Sequence, residues 1–199
     1  IKGFSTEMSL DVASLGVQVH GGMGFIEETG AAQYLRDAKI LTIYEGTTAI
    51  QANDFVGRKT ARDGGQVGKA IASQIEKTEA ALAQRSSAAS KAMHKHLNAA
   101  RKAFVEVVDF VAGQTKASPN AVFAGSVPYL MLAGNVMAGW QMARALIVAE
   151  DSTEDAAFMA AKVATARFYA EHILSKVPGI RDSIVEGHAA INDMALEAF

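Results

Sequence analysis

A single carboxylate in a short segment offers the clearest chemistry in this sequence. Glu45 lies between Tyr44 and Gly46, and the segment continues as Thr47-Thr48-Ala49-Ile50-Gln51. Apolar residues precede it, and a carboxylate in apolar surroundings is poorly solvated, so its affinity for a proton rises. Gly46 lets a ligand approach the backbone, and Thr47 can cap a helix or hydrogen-bond a ligand. The segment predicts a general base beside a ligand, although a Glu before a helix is also ordinary N-terminal chemistry.

Two upstream motifs add to this segment. The first is Gln18-Val19-His20-Gly21-Gly22-Met23-Gly24-Phe25, and the second is Tyr34-Leu35-Arg36-Asp37-Ala38-Lys39-Ile40. In this order and at this spacing, the three motifs resemble the C-terminal end of the acyl-CoA dehydrogenases. The resemblance covers roughly residues 1–62. Arg36 and Asp37 within the second motif are predicted to form a structural ion pair.

The resemblance implies roles for individual residues. Glu45 corresponds to the family's catalytic base, and Gly46 lies beside the acyl-CoA. The resemblance also implies two groups of FAD contacts. The residues that approach the FAD of a neighbouring subunit are Gln18, Val19, His20, Gly21 and Gly22. Those at the flavin end are Thr47, Thr48 and Ala49. Many relatives carry Gln where this chain has Ala49, which puts one side-chain hydrogen bond to the cofactor in question.

The resemblance also implies an activity, namely FAD-dependent oxidation of acyl-CoA thioesters to trans-2-enoyl-CoA. The carboxylate removes a proton next to the carbonyl, a hydride leaves for the flavin, and hydrogen bonds stabilise the developing enolate. The expected partners are acyl-CoA, electron-transfer flavoprotein or a similar acceptor, and further copies in a dimer or tetramer. A cytoplasmic location is expected. Most of the flavin site in such enzymes precedes residue 1, so the chain alone is expected to be inactive.

Residues from about 66 onward resemble a helical extension found in a longer subgroup of the family. That subgroup includes 3-methylmercaptopropionyl-CoA dehydrogenases and some long-acyl or broad-range enzymes, which suggests 3-methylmercaptopropionyl-CoA or a fatty acyl-CoA as substrate. The alternative is a non-catalytic helical module for oligomerisation or packing, in which Glu45 is incidental.

Composition supports an all-α fold and excludes several function classes. Half of the 199 residues are hydrophobic, and only three are proline. The absence of cysteine excludes disulfide scaffolds, thiolate metal sites and cysteine nucleophiles. A net charge of −2 without a basic stripe disfavours nucleic-acid binding. His94 and His96 point to different sides of a helix, so no metal site is predicted. The chain begins with Ile1 and shows no signal peptide, which indicates a fragment of a longer protein.

The helices that position these residues follow from hydrophobic spacing and from helix-breaking residues. Helices are expected over residues 2–15, over residues 31–38, and from Thr47 or Thr48 to about Thr60, with a loop at Gly21–Gly24. Asp63-Gly64-Gly65 is a strong stop. It predicts two domains, namely residues 1–62 as the C-terminal part of the dehydrogenase helical domain and residues 66–199 as an extra helical domain.

The extension is predicted to be an antiparallel helical bundle. Two apolar stripes, Val67-Ile71-Ile75-Thr78-Leu82 and Met93-Leu97-Ala100-Phe104-Val107-Val108-Val111, face its core. Helices should start at Ser118-Pro119 and Ser152–Asp155. Pro178-Gly179 should interrupt the latter helix before a last segment through Ile184, Ile191 and Leu196. The apolar residues 121–149 are long enough for a bilayer, but the interior Arg144 favours a helix buried on all sides, with no membrane span.

Overall fold

The computed structural model describes residues 1–193, 195 and 197, and all regular structure in that part is helical. The all-α fold class predicted from the sequence is therefore confirmed. The last helical segment is predicted to include Leu196, which lies outside the described residues. The α-helices are α1 (Lys2–His20), α2 (Gly22–Phe25), α3 (Ala31–Leu41), α4 (Thr48–Asp54), α5 (Gln66–Ala83), α6 (Ala88–Gln114), α7 (Pro119–Ala124), α8 (Ser126–Asp151), α9 (Ala156–His172), α10 (Val177–Val185) and α11 (His188–Asn192).

The glycine-rich segment after α1 is more regular than its sequence suggests. α1 runs five residues past the predicted end and stops at Gly21, whose φ is 61°. The predicted loop at Gly21–Gly24 contains one helical turn, α2, which folds tightly against α1. A Cβ on Gly24 would lie 2.2 Å from the carbonyl oxygen of Val17, so only glycine permits this approach.

The chain from the start of α4 to the start of α5 combines three kinds of helical turn. α4 begins after Thr47, whose hydroxyl accepts a hydrogen bond from the amide of Ile50 at 3.5 Å. A π-helical segment (Phe55–Thr60) and a 3-10 turn (Ala61–Asp63) follow α4. The predicted stop is present, because Gly64 and the next residue adopt φ of 66° and 79°. The division into two domains stays a prediction, since α1 and α4 both contact α8 across it.

The extension is built around α6 and α8, which contact each other and pack against α5, α9 and α10. Every member of the apolar stripe on α6 is buried, as its spacing predicted. The stripe on α5 is buried at Ile75 and Leu82, but Val67 at its start is 58% exposed. At this end of α5, Gly65 and Gly68 approach Val108 of α6, whereas the side chain of Val67 faces solvent.

The apolar residues 121–149 form two helices instead of one. The break occurs at Gly125, where a Cβ would lie 2.9 Å from Ile184 of α10. No residue between Ser126 and Trp140 is exposed, whereas Gln141, Arg144 and Val148 are. The expectation of burial on all sides therefore holds only for the first part of α8. None of the helices in the described part of the chain is long and apolar enough to cross a membrane.

Proline 178 has a different role from the one its sequence position suggested. α9 ends at His172, and a 3-10 turn (Leu174–Lys176) already separates it from α10. Pro178 lies in the first turn of α10, where its missing N–H has no helical partner to lose. The residue therefore begins a helix and does not interrupt one.

Candidate functional site

Glu45 lies in a turn between α3 and α4 and has an unusual backbone conformation. Its φ is 50°, in the left-handed region that residues with a Cβ rarely occupy, and Gly46 follows with a φ of 101°. The side chain of Glu45 is exposed, as are Ile43 (51%) and Tyr44 (48%). The apolar surroundings expected for this carboxylate are thus not supplied by the described residues, because the neighbouring apolar side chains face solvent too.

Side chains of α1 hold this turn in place. The ammonium group of Lys2 donates a hydrogen bond to the carbonyl oxygen of Glu45. The hydroxyl of Thr48 donates to the carboxylate of Glu7. Both partners precede the turn by about forty residues, and no local motif connects them to it, so the sequence reasoning missed them. Spacing on α1 gave no signal, since neither residue belongs to an apolar stripe.

The residues predicted to contact FAD fall into two separate groups. Gln18, Val19, His20, Gly21 and Gly22 are all exposed at the C-terminal end of α1 and the start of α2. Thr47 and Thr48 are half-buried and Ala49 is exposed at the start of α4. Glu7 contacts the second group and lies eleven residues before Gln18 on α1, so the two groups are roughly 16 Å apart along the helix axis, at about 1.5 Å per residue.

The glycines of the first group leave open space above the backbone. No heavy atom lies within 4 Å of a Cβ built on either Gly21 or Gly22. The ring of His20 is exposed, and its Nδ1 hydrogen-bonds to the carbonyl oxygen of Gly16 at 2.9 Å. A flat or extended ligand can therefore reach the main chain here without displacing a side chain of this chain.

The second motif contributes an ion pair with a different partner from the one predicted. Arg36 binds the carboxylate of Glu27 at 2.8 Å, while Asp37 accepts a hydrogen bond from Gln33 at 2.7 Å. Arg36 and Asp37 are adjacent and point to different sides of α3, which prevents the predicted pairing.

Over residues 1–193 and positions 195 and 197, no group of three or more His, Cys, Asp or Glu is arranged to hold a metal ion.

Comparisons with known proteins point in the same direction as the motifs. A protein-family model described as "Acyl-CoA dehydrogenase, C-terminal domain" matches residues 1–59. A second, described as "Acetyl-CoA dehydrogenase C-terminal like", matches residues 69–195. The two matches meet near the glycine pair that precedes α5.

Individual relatives are similar over most of the chain. It is 50% identical over 177 residues to a 3-methylmercaptopropionyl-CoA dehydrogenase of Ruegeria pomeroyi, covering 87% of this chain and 30% of that protein. A broad-specificity linear acyl-CoA dehydrogenase of Mycobacterium tuberculosis is 33% identical, covering 92% and 32%. A butyryl-CoA dehydrogenase of Syntrophomonas wolfei is 30% identical, covering 99% and 33%. The chain thus spans about a third of the length of these relatives.

Proposed function

The chain belongs to the acyl-CoA dehydrogenase family, and we propose that it is the C-terminal portion of an FAD-dependent enzyme that oxidises acyl-CoA thioesters to trans-2-enoyl-CoA. The observation that carries the proposal is the turn at Glu45. An accessible carboxylate occupies a strained backbone position beside a glycine, inside the segment matched by the family's C-terminal domain. Strained positions of this kind cluster at functional sites.

Glu45 is the proposed general base. It takes the proton from the carbon next to the thioester carbonyl, and the electron pair of that C–H bond becomes part of the new double bond. Gly46, whose φ of 101° favours glycine, is proposed to lie beside the thioester. FAD, when bound, supplies the acceptor for the hydride that leaves the adjacent carbon.

Eight residues are proposed to contact FAD, in two groups. Gln18, Val19, His20, Gly21 and Gly22 fit one part of the cofactor, because their backbone is exposed and the two glycines are open on the Cβ side. Thr47, Thr48 and Ala49 fit the flavin end, because they adjoin Glu45. The separation of the groups along α1 is consistent with contacts to FAD molecules of two subunits, and hence with a dimer or tetramer.

The proposed organisation assigns residues 1–62 to the catalytic helical domain and residues 66–199 to an extra helical domain.

We propose two candidate substrate classes, namely 3-methylmercaptopropionyl-CoA, suggested by the 50% identical relative, and straight-chain fatty acyl-CoA. Electron-transfer flavoprotein or a similar protein is the proposed acceptor, and the cytoplasm the proposed location. Assays of the full-length protein with 3-methylmercaptopropionyl-CoA, butyryl-CoA and a long-chain acyl-CoA would rank these substrates.

The deciding experiment replaces Glu45 with Gln in the full-length protein. Gln keeps the size of the side chain but cannot accept the proton, so flavin reduction by acyl-CoA should fall by roughly 10²- to 10⁴-fold while FAD remains bound. Glu28→Gln, at an exposed carboxylate in the same part of the chain, is the matched control and should retain full activity. Activity retained by Glu45→Gln would favour the packing-module alternative.

A further inference from the structure

The turn around Glu45 is constrained from one side by the first two turns of α1. Lys2 donates to the Glu45 carbonyl, and Glu7 accepts from the Thr48 hydroxyl. Packing is close at Gly46, where a Cβ would lie 2.4 Å from the side-chain amide of Gln51 and 3.5 Å from the Lys2 ammonium. The turn therefore lies wedged between α1 and α4.

This constraint explains how Glu45 keeps its conformation. A residue with a Cβ in the left-handed region costs about 1–3 kcal/mol and persists only when its surroundings over-determine it. The peptide that follows Glu45 is fixed at its oxygen by Lys2. The chain two residues later is fixed by Thr47, which caps α4, and by the bond from Thr48 to Glu7.

We propose that Lys2 and Glu7 are positioning residues for the catalytic turn, an inference that rests on the proposed function. Neither residue touches the reacting atoms. Lys2 fixes the peptide plane after Glu45 and thereby the direction in which the carboxylate leaves the backbone. Glu7 accepts the hydrogen bond that the Thr48 hydroxyl donates, so this hydroxyl can offer only lone pairs to a ligand at the flavin end.

The expected signature is a slower chemical step with unchanged binding. A displacement of about 1 Å at a reacting group can cost on the order of 100-fold in rate. Lys2→Met keeps the aliphatic stem but removes the donor, and Glu7→Leu keeps the volume but removes the acceptor. Each substitution should slow flavin reduction by about 10- to 100-fold. Substrate affinity should be unchanged, because the substitutions affect the transition state alone.

The experiment uses the full-length enzyme loaded with FAD and follows flavin reduction by rapid mixing with saturating acyl-CoA. The conservative variants Lys2→Arg and Glu7→Gln retain a donor and an acceptor and should recover most of the lost rate. Asp11→Leu, one turn after Glu7 on the same helix, and Lys91→Met on α6 are controls at exposed charges and should match the wild type. Substrate deuterated next to the carbonyl tests whether proton removal limits the slowed variants.

The outcomes separate this inference from the function on which it rests. Loss of activity in Glu45→Gln with normal reduction rates in Lys2→Met and Glu7→Leu would overturn the positioning role and leave the function standing. The role is also overturned if those variants lose FAD or thermal stability in proportion to their rate, or if the conservative variants recover nothing. Full activity of Glu45→Gln defeats the proposed function itself.

Discussion

At the scale of single residues, Glu79 is a carboxylate held inside the helical bundle by two hydrogen-bond donors. Its side chain is only 4% exposed. The guanidinium of Arg101 donates to it at 2.8 Å, and the amide of Asn98 donates at 2.9 Å. Removal of one partner of such a pair leaves a buried charge without compensation, which costs far more than the intact pair contributes.

We therefore expect Arg101→Met to lower the free energy of unfolding by about 3–5 kcal/mol, because Glu79 loses its charge partner inside the bundle. Urea unfolding followed by circular dichroism measures the change. Glu76 is the control, since its 64% exposed carboxylate lies 3.4 Å from the same guanidinium. Glu76→Gln should cost less than about 1 kcal/mol. If Arg101→Met lowered the free energy of unfolding by less than about 1 kcal/mol, the interpretation of Glu79 and Arg101 as a buried ion pair would be contradicted.

Trp140 is a second residue whose environment decides the effect of substitution. Its indole N–H donates to the hydroxyl of Thr78 at 2.8 Å, but the side chain is only partly buried. The Arg144 guanidinium lies 5.8 Å from the ring centroid, and Arg144 itself is exposed. Trp140 is therefore not buried enough for its truncation to cost the full free energy of an empty cavity in the core.

Trp140→Ala should cost about 2 kcal/mol, below the 3–5 kcal/mol of a fully buried aromatic residue, because solvent already covers part of the ring. Phe168→Ala, at a ring that is 58% exposed on α9, is the control and should cost less than about 1 kcal/mol. Equal losses for the two variants in chemical unfolding would mean that the indole packs no better than a surface ring.

At the scale of helices, a polar cluster ties the connection between α5 and α6 to the end of α8. Glu150 accepts hydrogen bonds from Ser87, Ser90 and Arg85. Burial alone raises the pKa of Glu150, but the bonds from Ser87, Ser90 and Arg85 outweigh it and leave the pKa below the ordinary value of 4.5. A hydrogen bond from Arg85 likewise lowers the pKa of Asp151.

This lowered pKa predicts how stability depends on pH. A carboxylate whose pKa is lower in the folded state contributes fully above its unfolded value and loses its contribution as the pH falls below it. Glu150→Gln should therefore cost about 1–2 kcal/mol at pH 7, and the difference from wild type should shrink as the pH falls below 4.5. Glu154→Gln, at an exposed site, is the control. If the stability difference between Glu150→Gln and wild type did not change with pH, the stabilising role of the ionised Glu150 carboxylate would be refuted.

The contact between α1 and α8 depends on a glycine. A Cβ on Gly134 would lie 2.1 Å from the ring of Phe4, so the two helices approach more closely than any other residue allows. Gly134→Ala should lower the free energy of unfolding by about 1–3 kcal/mol through overpacking. Gly113→Ala on α6 is the matched control, because nothing lies within 4 Å of its Cβ, and it should gain about 0.5–1 kcal/mol. Thermal unfolding tests the opposite signs.

At the scale of the whole molecule, exposed apolar side chains concentrate in the first fifty residues. They include Val12, Leu15 and Val19 along α1, which are 63%, 64% and 85% exposed, and Phe25, which is 82% exposed. The extension has a continuous buried core by contrast. The proposed explanation is that other parts of a longer protein cover this surface.

The isolated chain of 199 residues should therefore retain little or no FAD, since the proposed contact residues Gln18–Gly22 lie on open surface and enclose nothing. The absorbance of the purified chain near the flavin bands, with the full-length protein as reference, measures this. Stoichiometric yellow cofactor on the isolated chain would show that these residues suffice for binding, contrary to the prediction.

The sequence alone determined the helical fold, the helix starts at Thr47 and Ser118, and the buried stripe on α6. These follow from local preferences and from spacing, which act within a few residues along the chain. The family also follows from the sequence, because three short motifs in fixed order carry it. The role of Glu45 stays a prediction that the proposed experiment tests.

Only the tertiary structure decided which side chains meet across long stretches of sequence. The hydrogen bond that Lys2 donates to the Glu45 turn, the one that Glu7 accepts from it and the pairing of Arg36 with Glu27 all depend on how the helices pack. The break at Gly125 arises in the same way, since Ile184 occupies the space that a side chain there would need. Hydrophobic spacing specifies which face of a helix is buried, but not which residue of another helix lies against it, because that choice depends on the packing of the whole chain.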